Sequence, residues 1–139
     1  MERDVVRARH GLGPSCEVVQ ADIRDVAFGS ADAVVLLDVL HYMPGASQRD
    51  VLQRVRAALP AGGVLLLRVG DADAGVRFRI TYWSDRLILL SRGHGSLPLY
   101  CRGLGCWTRL LHECGFDSRP ERMSEGTPFA NVLLIAHAS

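Results

Sequence analysis

Lysine is absent from the 139 residues, and all 16 basic residues are arginines. With no lysine there is no Tyr-x-x-x-Lys pair of the kind nicotinamide-dependent reductases use, and no phosphate-binding glycine fingerprint supports that class. Aromatic residues are scarce at 6%, and the net charge is only +1, with the arginines scattered along the chain. Neither a nucleic-acid stripe nor a polybasic membrane patch is present, and a small-molecule partner is expected instead. The four cysteines, Cys16, Cys101, Cys106 and Cys114, form no C-x-x-C pair. Their apolar surroundings predict reduced, buried thiols and argue against a disulfide frame or a metal site. No apolar run approaches the ~18 residues of a membrane span, and the charged start "MERDVVRARHG" lacks a signal core. A cytoplasmic protein without a membrane span is the expectation.

What is present is a good deal of apolar sequence, 48% of the chain, enough for one domain over 1–139. Met1, Val5, Ala8 and Leu12 lie at helical spacing, so the chain opens inside a helix that Gly11 and Gly13 stop. "CEVVQADI" at 16–23 reads as a strand. Val34 to Leu37 do not alternate with polar residues, which predicts a strand covered on both faces as in a parallel sheet. "SQRD" has the form of a capping box, with Ser47 as cap, opening a helix whose apolar face is Val51, Leu52, Val55, Ala58 and Leu59. "PAGG" ends it and "VLLLRV" follows as another buried strand, completing a strand, helix, strand unit.

Val76, Ile80, Trp83, Leu87 and Leu90 recur at helical spacing, which predicts a helix ending near Gly93 with Trp83 in the core. "RGHGSLPLYCRG" is a loop carrying His94 and Tyr100. A shorter helix places Trp107, Leu110, Leu111 and Cys114 on one face and ends at Gly115. The tail from Phe116 reads as two strands joined by a glycine and proline turn. "GDADAG" at 70–75 is not a calcium loop, because Tyr82 stands where the twelfth-position glutamate belongs. Arg68 is odd inside an apolar strand, and Asp71 or Asp73 is its expected partner unless it faces a ligand.

In this order, "VVQADIRDVAFGSADAVVLLDVLHYMP", then "VLQRVRAALPAGGVLLL", then a closing "GF" with a strand pair resemble a class I S-adenosylmethionine-dependent methyltransferase. The resemblance implies an α/β, three-layer Rossmann-like sheet, mostly parallel with an antiparallel C-terminal hairpin. In that family the strand order resembles 3-2-1-4-5-7-6. The first two strands and the glycine-rich cofactor loop find no counterpart here: "GLG" at 11–13 follows a helix, and "GLG" at 103–105 has Thr108 at the third glycine position. The expected architecture is therefore a single truncated methyltransferase-like domain, and an internal start within a longer reading frame is its expected origin. "AVVLL" would then form a free sheet edge unless "EVVQAD" slides over to pair with it or a second chain does, and a homodimer pairing there is the prediction.

The resemblance also implies roles for individual residues. S-adenosylmethionine would be the cofactor, with Asp22 accepting a hydrogen bond from the adenine amino group, the Ile23 amide meeting the ring, and Leu37 and Asp38 lining the site. A cap or turn role is the alternative for Asp22, and for Asp38 a cap role stands level with the ligand role. His41 and Tyr42 stand nearest the expected methyl group: a histidine can take a proton from the acceptor, and Tyr42 shapes the pocket. The implied function is methyl transfer to a small molecule, with the apolar helix after Gly75 hinting at a lipid-like or aromatic acceptor. The competing reading is an inactive, dimerising remnant that acts as an interaction module.

Overall fold

In the computed structural model, residues 2–91, 98–123 and 125–139 are described. The chain runs α1 (Glu2–Leu12), β1 (Ala33–Leu37), a 3-10 turn (Leu40–Tyr42), α2 (Gly45–Ala58), β2 (Val64–Gly70), α3 (Val76–Ser91), α4 (Leu104–Glu113), β3 (Phe116–Arg122) and β4 (Asn131–Ala138). The four strands form one sheet in the order β1-β2-β4-β3. It corresponds to the 4-5-7-6 part of the expected order. β1 and β2 are parallel, with Leu36 opposite Leu67, while β4 lies antiparallel to both β2 and β3.

Side-chain alternation sets the two faces of this sheet. Leu65, Leu67 and Val69 of β2 and Val132, Leu134 and Ala136 of β4 point to one side and are buried there. Val51, Leu52 and Val55 of α2 and Trp107, Leu110 and Leu111 of α4 complete that core. On the other face α3 lies over the Gly70 end of β2: a Cβ on Gly70 would meet Thr81 at 3.7 Å and Phe78 at 4.0 Å. Helices thus stand on both sides of the sheet.

Several local expectations need correction. Residues 16–23 form no strand, only a turn closed by the Asp25 amide on the Asp22 carbonyl at 2.9 Å. Arg54 of α2 donates to the carbonyls of Ile23 and Val26 and stacks 5.4 Å from the Phe28 ring, so this segment's backbone is met by a side chain instead of a ladder. β1 is accordingly an edge strand. Its outer face is open, with Val35 55% and Leu37 47% exposed. Ser47 is not a cap either: α2 begins at Gly45 behind Pro44 with no side-chain cap, and Asp50 pairs with Arg54 one turn on at 2.9 Å.

The apolar stripe of α3 faces outward. Val76, Ile80, Trp83, Leu87 and Leu90 are all exposed, Trp83 at 66%. The helix turns Phe78, Thr81, Ser84 and Asp85 inward instead, because the sheet end beneath it offers Gly70 and polar backbone, where small and polar groups fit. All four cysteines are free, but only Cys114 is buried; Cys16 and Cys106 are exposed. The loop at 92–103 lies partly outside the described residues, His94 included.

Candidate functional site

β1 ends at Leu37, and the next residue turns the chain out of the sheet. Asp38 has φ +56°, a left-handed conformation that short polar side chains tolerate better than others do. Its carboxylate forms a two-pronged ion pair with the Arg68 guanidinium, with Arg68 Nε 3.0 Å from Oδ1. This is the partner Arg68 takes, in place of Asp71 or Asp73. Asp71 instead accepts from the amides of Asp73 and Leu104 at 3.0 and 2.9 Å, which caps α4.

The 3-10 turn that follows carries His41 inward. Its side chain is 8% exposed, and Nε2 is buried without a hydrogen-bond partner among the described residues. Asp85 of α3 is the carboxylate facing it, Oδ2 lying 3.8 Å from Nε2. Burial pushes the His41 imidazole below its ordinary value, against the opposing pull of Asp85 and Asp38. Burial likewise raises the Asp85 carboxyl, against the pull of His41. The imidazole is therefore neutral at neutral pH, the state in which it can accept a proton. The Tyr42 ring sits 4.1 Å from the imidazole, and its side chain is half exposed.

A cavity of about 160 Å³ opens beside this pair, lined by Asp38, His41, Gly70, Thr81, Ser84, Asp85, Ile88, Phe129 and Asn131. It is the size of a single aromatic ring. Thr81 braces it by donating to the Arg77 carbonyl and accepting from the Ala130 amide at 2.9 Å. The segment at 125–131 supplies Phe129 and Asn131 to the cavity wall. Gln48, fully buried in α2, ties the turn from behind by reaching the carbonyls of Leu40, Met43 and Tyr100.

Of the residues expected from the sequence, Asp38 and His41 meet at this cavity. Asp22, Ile23, Leu37 and Tyr42 do not line it. Asp22 sits in the exposed turn, held by the Arg24 side chain and amide, which bring its pKa down to about 2. Ile23 packs against the core beside Phe28. Asp85, the acid facing His41, went unread, although it is the one acidic residue in a helix otherwise apolar, polar or arginine. That isolation was the available signal. No cluster able to hold a metal exists among the described residues, and no described helix is long and apolar enough to cross a membrane.

As a cradle for S-adenosylmethionine, the described residues fit in part. Leu37 offers an exposed apolar surface at the carboxyl end of β1, and Asp22 offers an exposed acceptor already shared with Arg24.

Comparison with known proteins places this geometry. The O-methyltransferase domain family model matches residues 4–97. A carboxy-S-adenosyl-L-methionine synthase of Chromohalobacter salexigens is 41% identical over 68 residues, 45% of this chain and 25% of that protein. The enzyme of the same name from Psychrobacter arcticus is 45% identical over 51 residues, 37% of this chain and 20% of that protein. The chain thus spans a quarter or less of these curated relatives. Among solved structures, the mitomycin 7-O-methyltransferase superposes with a TM-score of 0.73 at 20% identity, covering 99% of this chain and 38% of that one. Human N-acetylserotonin methyltransferase in complex with SAM gives 0.65 at 20% identity, covering 87% and 33%. The strand order, the strand-end position of the cavity and a family match over more than half its length agree: the chain belongs to the O-methyltransferase domain family.

Proposed function

We propose that this chain carries the acceptor-activating part of an S-adenosylmethionine-dependent O-methyltransferase acting on a small molecule with a hydroxyl group. The observation that supports it is His41, a buried imidazole whose Nε2 has no hydrogen-bond partner among the described residues, at the rim of a ring-sized cavity beyond the end of a parallel strand. When bound, S-adenosylmethionine supplies an electrophilic methyl on a sulfonium, and the acceptor oxygen displaces the thioether. His41 takes the hydroxyl proton as the oxygen attacks, so the acceptor reacts with the electron density of an alkoxide or phenoxide. Ile88 and Phe129 hold an apolar acceptor against Thr81 and Gly70, and Tyr42 packs behind the imidazole and limits its rotation. Asp22, Ile23, Leu37 and Asp38 are the residues proposed to meet the adenosine half.

Calorimetric titration with S-adenosylhomocysteine tests this reading. Saturable heat is expected from the parent chain, with an affinity at least tenfold weaker in Asp22→Ala. Silence up to millimolar ligand would remove the cofactor assignment and favour the non-catalytic interaction module.

A homodimer through the free edge of β1 belongs to the same proposal. Val35 and Leu37 are exposed on that strand, and such edges recruit a second strand. Light scattering behind size exclusion is expected to give twice the 15.2 kDa chain mass. Val35→Lys is expected to return the monomer, and a parent chain that elutes as a monomer sinks the idea.

A further inference from the structure

We propose that the outward face of α3 docks on an anionic lipid bilayer, the helix lying in the headgroup region while its inward face lines the His41 cavity. The inference does not rest on methyl transfer. Val76, Ile80, Trp83, Leu87 and Leu90 form one exposed stripe, with Val76 70% and Leu87 69% open to solvent. Between Val76 and Leu87 the surface hollows into an open groove of about 490 Å³ whose wall includes Arg79 and Trp83. A contiguous apolar patch with a charged rim marks an interaction surface.

Charge decides the occupant. α3 carries Arg77, Arg79 and Arg86 against a single acid, and that acid, Asp85, turns to the cavity. Arg79 and Arg86 stand two turns apart on one flank of the stripe. Arg79 makes no ion pair among the described residues, and Arg86 lies over the Tyr82 ring at 6.0 Å. On the other flank Arg77 shares a recess with Arg122 and Glu125, two guanidiniums to one carboxylate. A second copy on this stripe would set arginine against arginine, with no acid of α3 facing outward to answer them. A bilayer with anionic headgroups matches both halves of the pattern. Trp83 and Leu87 enter the acyl boundary, while the guanidiniums stay with the phosphates on their apolar stems. Tryptophan and tyrosine rings are favoured at that depth. At 16 residues α3 is about 24 Å long, and no described helix is long and apolar enough to cross a membrane, so the helix lies on the surface and does not span it.

Co-sedimentation of the full chain with vesicles tests this without cofactor or turnover. With phosphatidylcholine and phosphatidylglycerol at about 3:1, half of the chain is expected to pellet near roughly 0.1 mM accessible lipid. With phosphatidylcholine alone, binding is expected to be about tenfold weaker or more, and NaCl at about 0.5 M should remove most of that difference. Trp83→Ser is expected to weaken binding to the anionic vesicles at least about tenfold, and Arg79→Gln about fivefold there with no change on phosphatidylcholine. Both side chains face outward, so circular dichroism melting should match the parent; if Trp83→Ser does not fold, Leu87→Ser takes its place. Val35→Lys, at the β1 edge, should leave vesicle binding unchanged, which separates docking from the dimer. A chain that stays in the supernatant up to about 5 mM anionic lipid overturns the proposal. So does pelleting that the stripe variant leaves unchanged, or equal binding to both kinds of vesicle. An oligomer that Trp83→Ser alone dissolves, in a chain that does not pellet, gives the stripe to a second copy instead. Retention on polyglutamate without pelleting gives it to an acidic protein, and either result overturns the lipid assignment.

Discussion

His41→Gln is expected to slow methyl transfer by about 10²- to 10⁴-fold, the usual contribution of a positioned general base. Glutamine has comparable reach and can still hydrogen-bond an acceptor hydroxyl, but it cannot take the proton at neutral pH. The cavity is therefore kept and the chemistry lost. Affinity for S-adenosylhomocysteine is expected to stay within about threefold, because Asp22, Ile23 and Leu37 lie outside this cavity and Asp38 keeps its ion pair with Arg68. The pH profile carries the sharper signature. In the parent, His41 has a depressed pKa, so the base form is complete above the ordinary histidine range and is lost as pH falls through the lower, folded value. His41→Gln should erase that acid limb, leaving a slow, flat rate. Single-turnover transfer of a labelled methyl group measures both, and a rate within threefold of the parent would mean that alignment of donor and acceptor carries the reaction.

The largest loss of stability is expected from Gln48→Leu, about 3 kcal/mol or a Tm lower by roughly 10 °C. Gln48 is fully buried, and its amide nitrogen lies 3.0, 3.1 and 2.9 Å from the carbonyls of Leu40, Met43 and Tyr100. Two amide hydrogens serve three acceptors, so one is shared. Its oxygen accepts from Arg102 at 2.6 Å, and the Arg102 guanidinium stacks 5.7 Å from the buried Trp107 ring. Leucine fills nearly the same space and leaves all four partners without their hydrogen bonds, each costing about 1–3 kcal/mol before relaxation. Urea denaturation gives the difference, and a loss under 1 kcal/mol would show that the loop carbonyls find other donors. The same substitution loosens the clasp around His41, whose carbonyl accepts from the Tyr100 amide at 2.8 Å. Activity should therefore fall at temperatures well below the new Tm.

How much of this was legible follows from which forces were local. The buried strands and the α2 and α4 faces could be read directly, because their apolar residues pack against one another and the period of the pattern is the period of the structure. The stretch at 16–23 also carries apolar residues but stays off the open edge of β1, and Arg54 holds the turn that ends it through the carbonyls of Ile23 and Val26. The apolar stripe of α3 was read correctly as helical and assigned to the wrong side, since periodicity gives a face but not its direction. At the site, His41 and Asp38 announced themselves as polar residues closing an apolar strand. Asp85, Phe129 and Asn131 approach from 44 to 90 positions farther along the chain. Only the crossing of α3 over the Gly70 end of the sheet brings them in, and no local pattern encodes that crossing.

The two tryptophans divide the molecule into two optical compartments. Trp107 is sealed in the core at 1% exposure beneath a guanidinium, while Trp83 stands on the outward stripe of α3. Emission from the first is blue and shielded from a soluble quencher; emission from the second is red and open to it. Acrylamide therefore silences the surface signal and leaves the core signal, so one cuvette separates events on the α3 stripe from collapse of the core.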